Sequence, residues 1–198
     1  MIFHVPGINQ VIRRSYSISS SPSDKTHFEI CVRAVSGGFC SNFIHRLRPG
    51  DSMQVEGPYG DFRLHDGSQR DLLMIATGTG IAPIKSMLLS LLGQVGRRRI
   101  RLFFGLRNVS DPFYTKMLSD MRERPWFEPT IILSQPDPVG WPGLRGRVTD
   151  LIREQVSLDE ASHTDAYLCG GRPMIEDAKR LLIQKGMSVE QIRHENFF

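Results

Sequence analysis

The sequence predicts a β-rich unit over residues 1–66 and an α/β unit over 71–198, the second a doubly wound parallel sheet covered by helices on both faces. Three observations carry this. In the first part, short candidate strands are punctuated by Gly, Pro and Ser clusters, as in antiparallel β structure. In the second, apolar runs alternate with amphipathic stretches, the pattern of strand–helix–strand units. Between Asp71 and Ile84 an apolar run, a glycine turn and a helix start follow one another directly.

Each element has its own reason. Met1–Val5 is an apolar strand, followed by the turn Pro6-Gly7-Ile8-Asn9. Arg13–Ser20 has strand length, and the two-residue period puts Arg14 and Tyr16 on one side, Ser15 and Ser17 on the other. Taken alone it reads equally as a polar edge strand. Phe28–Val35 alternates, and Ser52–Glu56 leads into Gly57-Pro58-Tyr59-Gly60. Gly37–Ile44 is a glycine turn with a Ser/Asn cap before a short apolar turn, an exposed helix N-terminus suited to an anion. After the polar seam His65–Arg70 come strands Leu72–Ala76, Ile100–Gly105, Thr130–Leu133 and Ala166–Cys169. Helices are expected over Ile84–Leu92, Pro112–Glu123, Thr149–Glu154 and Pro173–Lys185.

The Asp71–Ile84 segment is the most informative. Leu72–Ala76 is long enough for a buried strand and too short for a helix. Gly78 and Gly80 let the backbone turn sharply, and Pro83 suits the first helical turn, where its missing N–H is not needed. The helix carries Ile84, Met87, Leu88, Leu91 and Leu92 on one face. A strand, a glycine turn and an open helix N-terminus make a phosphate or pyrophosphate site. Gly-x-Gly-x-x-Pro is not the standard dinucleotide fingerprint, and a purely structural strand-to-helix turn is the alternative. Cys169 ends an apolar strand before Gly170-Gly171, placing it at the carboxyl edge of the sheet, where open α/β sheets bind ligands. A buried core cysteine is the competing reading.

Composition sets further bounds. No stretch approaches the ~20 apolar residues of a membrane span, and no secretory signal is legible in residues 1–20. Cys31, Cys40 and Cys169 form an odd, scattered set, as in reduced cytoplasmic proteins, without iron–sulfur spacing. The six histidines include no His-x-x-x-His pair, so no metal site is expected. The formal charge of +4 is mostly arginine. Arg97-Arg98-Arg99 reads as a solvated loop in preference to a nucleic-acid contact.

Six short stretches in order resemble the ferredoxin–NAD(P)H reductase superfamily, with oxygenase reductase components and flavin reductases nearest in pattern. They are Arg14-Ser-Tyr16-Ser17, Gly38-x-x-Ser41, Glu56-Gly-Pro-Tyr-Gly60, Thr77-Gly-Thr-Gly-Ile-Ala-Pro83, Cys169-Gly170-x-x-Pro173-Met174 and Glu195-Asn-Phe197. The resemblance implies an FAD-binding β-barrel at 1–66 and an NAD(P)-binding domain at 71–198. It implies that Arg14 grips the FAD pyrophosphate, that Tyr16 lies along the flavin, and that Ser17 sits near flavin N5. Gly38, Cys40 and Ser41 would receive the pyrophosphate through backbone N–H groups. Thr77, Gly78, Thr79, Gly80 and Pro83 would receive the nicotinamide dinucleotide, with Arg107 and Gly170 beside it. Cys169 and Glu195 would stand where nicotinamide approaches flavin, Cys169 shaping the pocket without acting as a covalent nucleophile. Phe197 or Phe198 would lie near the ring.

The implied activity is hydride transfer from NADH or NADPH to FAD, with electrons passed to a ferredoxin, an iron–sulfur protein or an oxygenase. Arg107 suits a 2′-phosphate, yet Ser134-Gln135 stands where the family has a Ser-Arg pair, and the balance leans to NADH. The resemblance starts late in the family's barrel, so strands are expected to be missing and FAD to be held weakly. Two alternatives follow: a flavin reductase using diffusible flavin, and a truncated, inactive nucleotide-binding chain.

Overall fold

The computed structural model describes residues 1–7, 10–65, 67–92, 98–109, 113–135 and 140–197. Ile2–Pro6 (β1), Val11–Ser15 (β2) and Val55–Glu56 (β3) form an antiparallel sheet in the order β2-β1-β3. Phe3 and Val5 turn inward from β1 and are buried, and Tyr16 stands edge-on to Phe3 at 5.4 Å.

Three expectations for this half are corrected. The strand predicted through Ser20 stops at Ser15, and beyond it Ile18 makes one bridge with Ile30. Phe28–Val35 forms no further ladder among the described residues, with Phe28 and Val35 exposed. Alternation shows that a segment has two faces, but a ladder also needs a neighbouring strand to take its N–H and C=O groups. Ser41 and Asn42 are not caps: Phe39–Arg46 (α1) starts before them, with Gly38 as its N-cap. Both side chains instead tie down the preceding turn. Ser41 Oγ accepts from Val35 N at 3.2 Å and donates to Gly38 O at 3.3 Å, and Asn42 Nδ2 donates to both carbonyls.

The second half contains Asp71–Thr77 (β4), Ile81–Leu91 (α2), Ile100–Leu106 (β5), Thr115–Met121 (α3) and Phe127–Leu133 (β6). Leu144–Arg145 (β7), Val148–Gln155 (α4), Leu158–Ser162 (α5), Thr164–Gly171 (β8), Arg172–Gln184 (α6) and Ile192–Phe197 (β9) follow. All six strands run parallel in the order β7-β6-β5-β4-β8-β9. Every predicted strand of this half is present, whereas β7 and β9 were not foreseen. The helix predicted from Pro112 is seen as α3, Pro112 itself lying outside the described residues, as do Ile8, Asn9, Arg97 and Phe198.

The strands alternate between two cores. Leu72, Met74 and Ala76 of β4 pack in one cluster with Ile84 and Leu88 of α2 and Leu118 of α3. Leu73 and Ile75 pack in the other with Leu151 and Ile152 of α4 and Ala178 and Leu182 of α6. Burial on both faces is why these strands read as unbroken apolar runs. Arg98 corrects the expected solvated loop: its side chain is 13% exposed and stands 3.6 Å from the buried Asp165 carboxylate. A buried charge needs a partner, and Asp165 draws the guanidinium inward. At the seam, His65 N–H donates to Tyr167 Oη at 3.0 Å, and Phe62 lies beside the same ring.

The strand order places a reversal between β4 and β8. From β4 the chain winds outward through β5, β6 and β7; β8 and β9 lie on the other side. The crevice beyond the carboxyl ends of β4 and β8 is where such sheets bind ligands. It is formed here by Thr77–Gly80 and Cys169–Gly171.

Candidate active site

Glu195 brings the two halves of the chain together. β9 pairs with β8 so that Glu195 lies directly beside Cys169. Ser17, just past β2, donates its hydroxyl to Glu195 Oε2 at 2.9 Å. The Cys169 thiol faces the same oxygen at 3.9 Å. Residues from three distant parts of the sequence thus converge on one carboxylate. Burial first, then the Glu195 charge and hydrogen bond, push the Cys169 thiol far above its ordinary pKa. It remains a neutral thiol, without the thiolate character a nucleophile needs.

Two clefts border this cluster. One, of about 490 Å3, is lined by Tyr16, Ser17, Tyr59, Phe62 and Glu195, with Pro83, Ser86 and Met87 of α2 on the opposite wall. The other, of about 440 Å3, lies over the strand ends and is lined by Thr77, Gly78, Thr79, Arg107, Gly170 and Phe197. Both volumes fall in the range of about 300–1,000 Å3 usual for small-molecule sites. Gly78 has φ +54, and a Cβ there would meet nothing within 4 Å, so its backbone faces open space. Gly80 is the opposite case: a Cβ would run into the backbone carbonyl of Cys169. That glycine lets the start of α2 lie directly on the end of β8.

The residues fit the two ligands unevenly. The first cleft offers the aromatic walls of Tyr16, Tyr59 and Phe62 and the Ser17 hydroxyl, a shape and chemistry suited to a flavin ring. The second offers the open Gly78 backbone, the first turns of α4 and α6 and the three arginines Arg33, Arg107 and Arg147, suited to a dinucleotide. Arg14, Gly38, Cys40, Ser41, Gly80 and Cys169 line neither cleft, and Cys169 is fully buried in the core, as its competing reading had it. Arg14 is exposed, its Nη1 donating to Arg13 O at 2.8 Å. The Gly38 N–H donates to Val35 O at 2.9 Å, so Gly38 is not the anion donor the resemblance implied. The open donors at that helix start belong to Phe39, Cys40 and Ser41. Pro83 faces the first cleft and not the dinucleotide side. Phe197 packs against the core and lines the second cleft; Phe198 lies outside the described residues.

Sequence reasoning missed several lining residues. Tyr59 belongs to the Glu56–Gly60 stretch and was available as a candidate there. Phe62 and Arg147 carry no motif, and only the folded chain shows them in the clefts, whereas Ser134, weighed for the 2′-phosphate, does line the second.

Comparison with known proteins agrees with this geometry. Residues 1–64 match the family model for the oxidoreductase FAD-binding domain, and residues 74–180 the model for the oxidoreductase NAD-binding domain. The chain belongs to the ferredoxin–NAD(P)H reductase superfamily. Within that superfamily it is 35% identical over 197 residues to the phenol 2-monooxygenase reductase component DmpP of a Pseudomonas species, covering 98% of this chain and 55% of the relative. It is also 35% identical over 179 residues to ferredoxin–NADP reductase B of Sorangium cellulosum, covering 86% of this chain and 71% of that protein. The crystal structure of the Amycolatopsis cytochrome P450 reductase GcoB superposes with a TM-score of 0.88 at 28% identity, over 99% of this chain and 59% of that one. The chain spans about half the length of the oxygenase reductase components it matches.

Proposed function

We propose that this chain is the flavin- and nicotinamide-binding part of an NAD(P)H-dependent reductase that delivers electrons to a ferredoxin, an iron–sulfur protein or an oxygenase. Residues 1–66 would hold FAD and residues 71–198 the dinucleotide. The observation that carries the reading is the convergence of Ser17, Cys169 and Glu195 between two clefts of ligand size. When bound, the nicotinamide supplies a hydride and the flavin accepts it and releases electrons singly or in pairs.

The chain's own part is binding, orientation and electrostatics. The open Gly78 backbone, Thr79 and the first turn of α6 would hold the pyrophosphate of the dinucleotide. Arg107 and Arg147 line the same cleft and would pair with a 2′-phosphate there. Tyr16 and Tyr59 bracket the flavin-side cleft, and Ser17 spends its hydroxyl proton on Glu195 Oε2, which fixes the direction of that hydroxyl and leaves Oγ as an acceptor at the cleft. The neutral Cys169 thiol backs Glu195 from the core without adding charge. Reacting atoms must come within about 3–3.5 Å, so this cluster acts chiefly by positioning.

A second reading, reduction of flavin as a diffusible substrate, draws support from the open β-rich half, where Val11, Phe28, Val35 and Phe39 stay exposed. Gel filtration with added FAD, followed by anaerobic NADH, separates the two. Co-eluting flavin that bleaches supports the resident cofactor. Turnover of free flavin without co-elution supports the diffusible substrate. Neither binding nor bleaching, with NADH or NADPH, would refute both.

A further inference from the structure

One buried cation has no part in either ligand site. Lys85 of α2 is only 9% exposed at its side chain, and its Nζ lies 2.6 Å from Glu29 Oε2 in the β-rich half. The same ammonium sits 4.3 Å over the Tyr114 ring, just before α3. Tyr114 donates its hydroxyl to the other Glu29 oxygen at 2.8 Å and lies 3.1 Å from the Ser19 hydroxyl. Ser19 is fully buried, and its N–H donates to Glu29 O at 2.7 Å. Four side chains from four segments therefore close on each other across the junction.

Two further observations give this cluster a role. Tyr114 has φ 55, a left-handed backbone that a tyrosine adopts only when its surroundings hold it there. And α2 walls one cleft while the turn that leads into it lines the other. Pro83, Ser86 and Met87 line the flavin-side cleft, while Gly78 and Thr79, leading into the helix, line the dinucleotide side. Lys85 lies among these residues on the same helix. Pinning α2 to Glu29 therefore fixes one cleft relative to the other.

We propose that Lys85 is a positioning residue for hydride transfer: its ion pair with Glu29 and its stack on Tyr114 set the spacing between the flavin-side and nicotinamide-side clefts. The inference rests on the reductase reading for what the spacing serves. It does not depend on that reading for the contact itself. Glu29 is held as a carboxylate: burial opposes the charge, but hydrogen bonds from Lys85 and Tyr114 outweigh it and keep its pKa below the ordinary value.

The test uses the FAD-loaded protein and compares wild type, Lys85→Met and Lys85→Arg. Three quantities are measured: the rate of flavin bleaching at saturating NADH in a single turnover, the NADH dissociation constant, and amide hydrogen exchange at Ser19 and across 27–31. Displacements of about 1 Å cost up to ~100-fold in such reactions. Lys85→Met should therefore slow bleaching about tenfold, with the NADH dissociation constant held within about twofold. Exchange at Ser19 should quicken, and Lys85→Arg should restore the rate to within about threefold by keeping a cation on Glu29. A wild-type bleaching rate in Lys85→Met, or a change confined to the dissociation constant, would overturn the proposal. If wild type itself fails to bleach, the reductase reading fails, and unchanged exchange in Lys85→Met would separately refute the clasp.

Discussion

Gly80 offers a sharp test of how α2 meets β8. Its φ of −59 and ψ of −12 are helical, so alanine is conformationally welcome there and gains about 0.5–1 kcal/mol over glycine. The added Cβ, however, would run into the Cys169 carbonyl, with the Cys169 carbonyl carbon at 2.6 Å and Gly170 N at 3.0 Å. These are backbone atoms of a central strand and have no rotamer to change. Overpacking costs about 1–3 kcal/mol, and a backbone clash belongs at the upper end. The net loss is about 2 kcal/mol, or roughly 4–8 °C in melting temperature for a chain of this size. Gly78→Ala is the matched control. Its φ of +54 costs about 1–2 kcal/mol, but the methyl meets no neighbour and projects toward the dinucleotide cleft. It should weaken NADH binding by about tenfold, near 1.4 kcal/mol. Thermal melts and NADH titrations of both variants decide the matter. If Gly80→Ala melts within about 1 °C of wild type, the close approach of α2 to β8 is wrong.

Other expected outcomes follow from the same geometry. Ser17→Ala removes the only hydroxyl on Glu195 Oε2 among the described residues and should slow flavin bleaching by about tenfold or more while costing about 1 kcal/mol of stability, checked by stopped flow and denaturant titration. Arg107→Ala with Arg147→Ala should weaken NADPH binding more than NADH binding by about tenfold, and equal losses for both would remove these residues from the 2′-phosphate. Burial and then Glu195 raise the Cys169 pKa on folding, so the folded form holds a proton that the unfolded chain releases above about pH 8.5. Stability should therefore fall as pH rises beyond that point, by up to about 1.4 kcal/mol per pH unit from this thiol, and Cys169→Ala should lower the slope.

Much of the α/β half was legible because its central strands are buried on both faces. Leu72–Ala76 and Ala166–Cys169 have no charged residue to blur the pattern, and Ile100–Gly105 has only Arg101, itself buried against Glu160. β9 escaped notice for the opposite reason. Ile-Arg-His-Glu-Asn-Phe reads as a solvated tail, buries fully only Ile192, and is a strand through its ladder to β8. The β-rich half misled in a different way: alternation over Phe28–Val35 looks like a strand, yet no local signal says whether a neighbour will pair with it. Ser41 and Asn42 had capping chemistry but spend it on Val35 and Gly38.

The site was legible in its members and not in its arrangement. Ser17, Cys169 and Glu195 came from short motifs, and no spacing rule connects residue 17 with residue 195. Glu29, Lys85 and Tyr114 carried no motif at all. A lysine five residues after a glycine turn looks like a solvated helix residue, and its burial depends on a carboxylate 56 positions earlier.

The most direct test of the central claim is a single-turnover comparison of wild type and Glu195→Gln, both loaded with FAD and mixed anaerobically with saturating NADH. If Glu195 orients Ser17 between the two clefts, wild type bleaches its flavin and Glu195→Gln does so at least about tenfold more slowly with NADH affinity little changed. Equal rates in the two proteins would contradict the claim that this cluster marks the place where nicotinamide meets flavin.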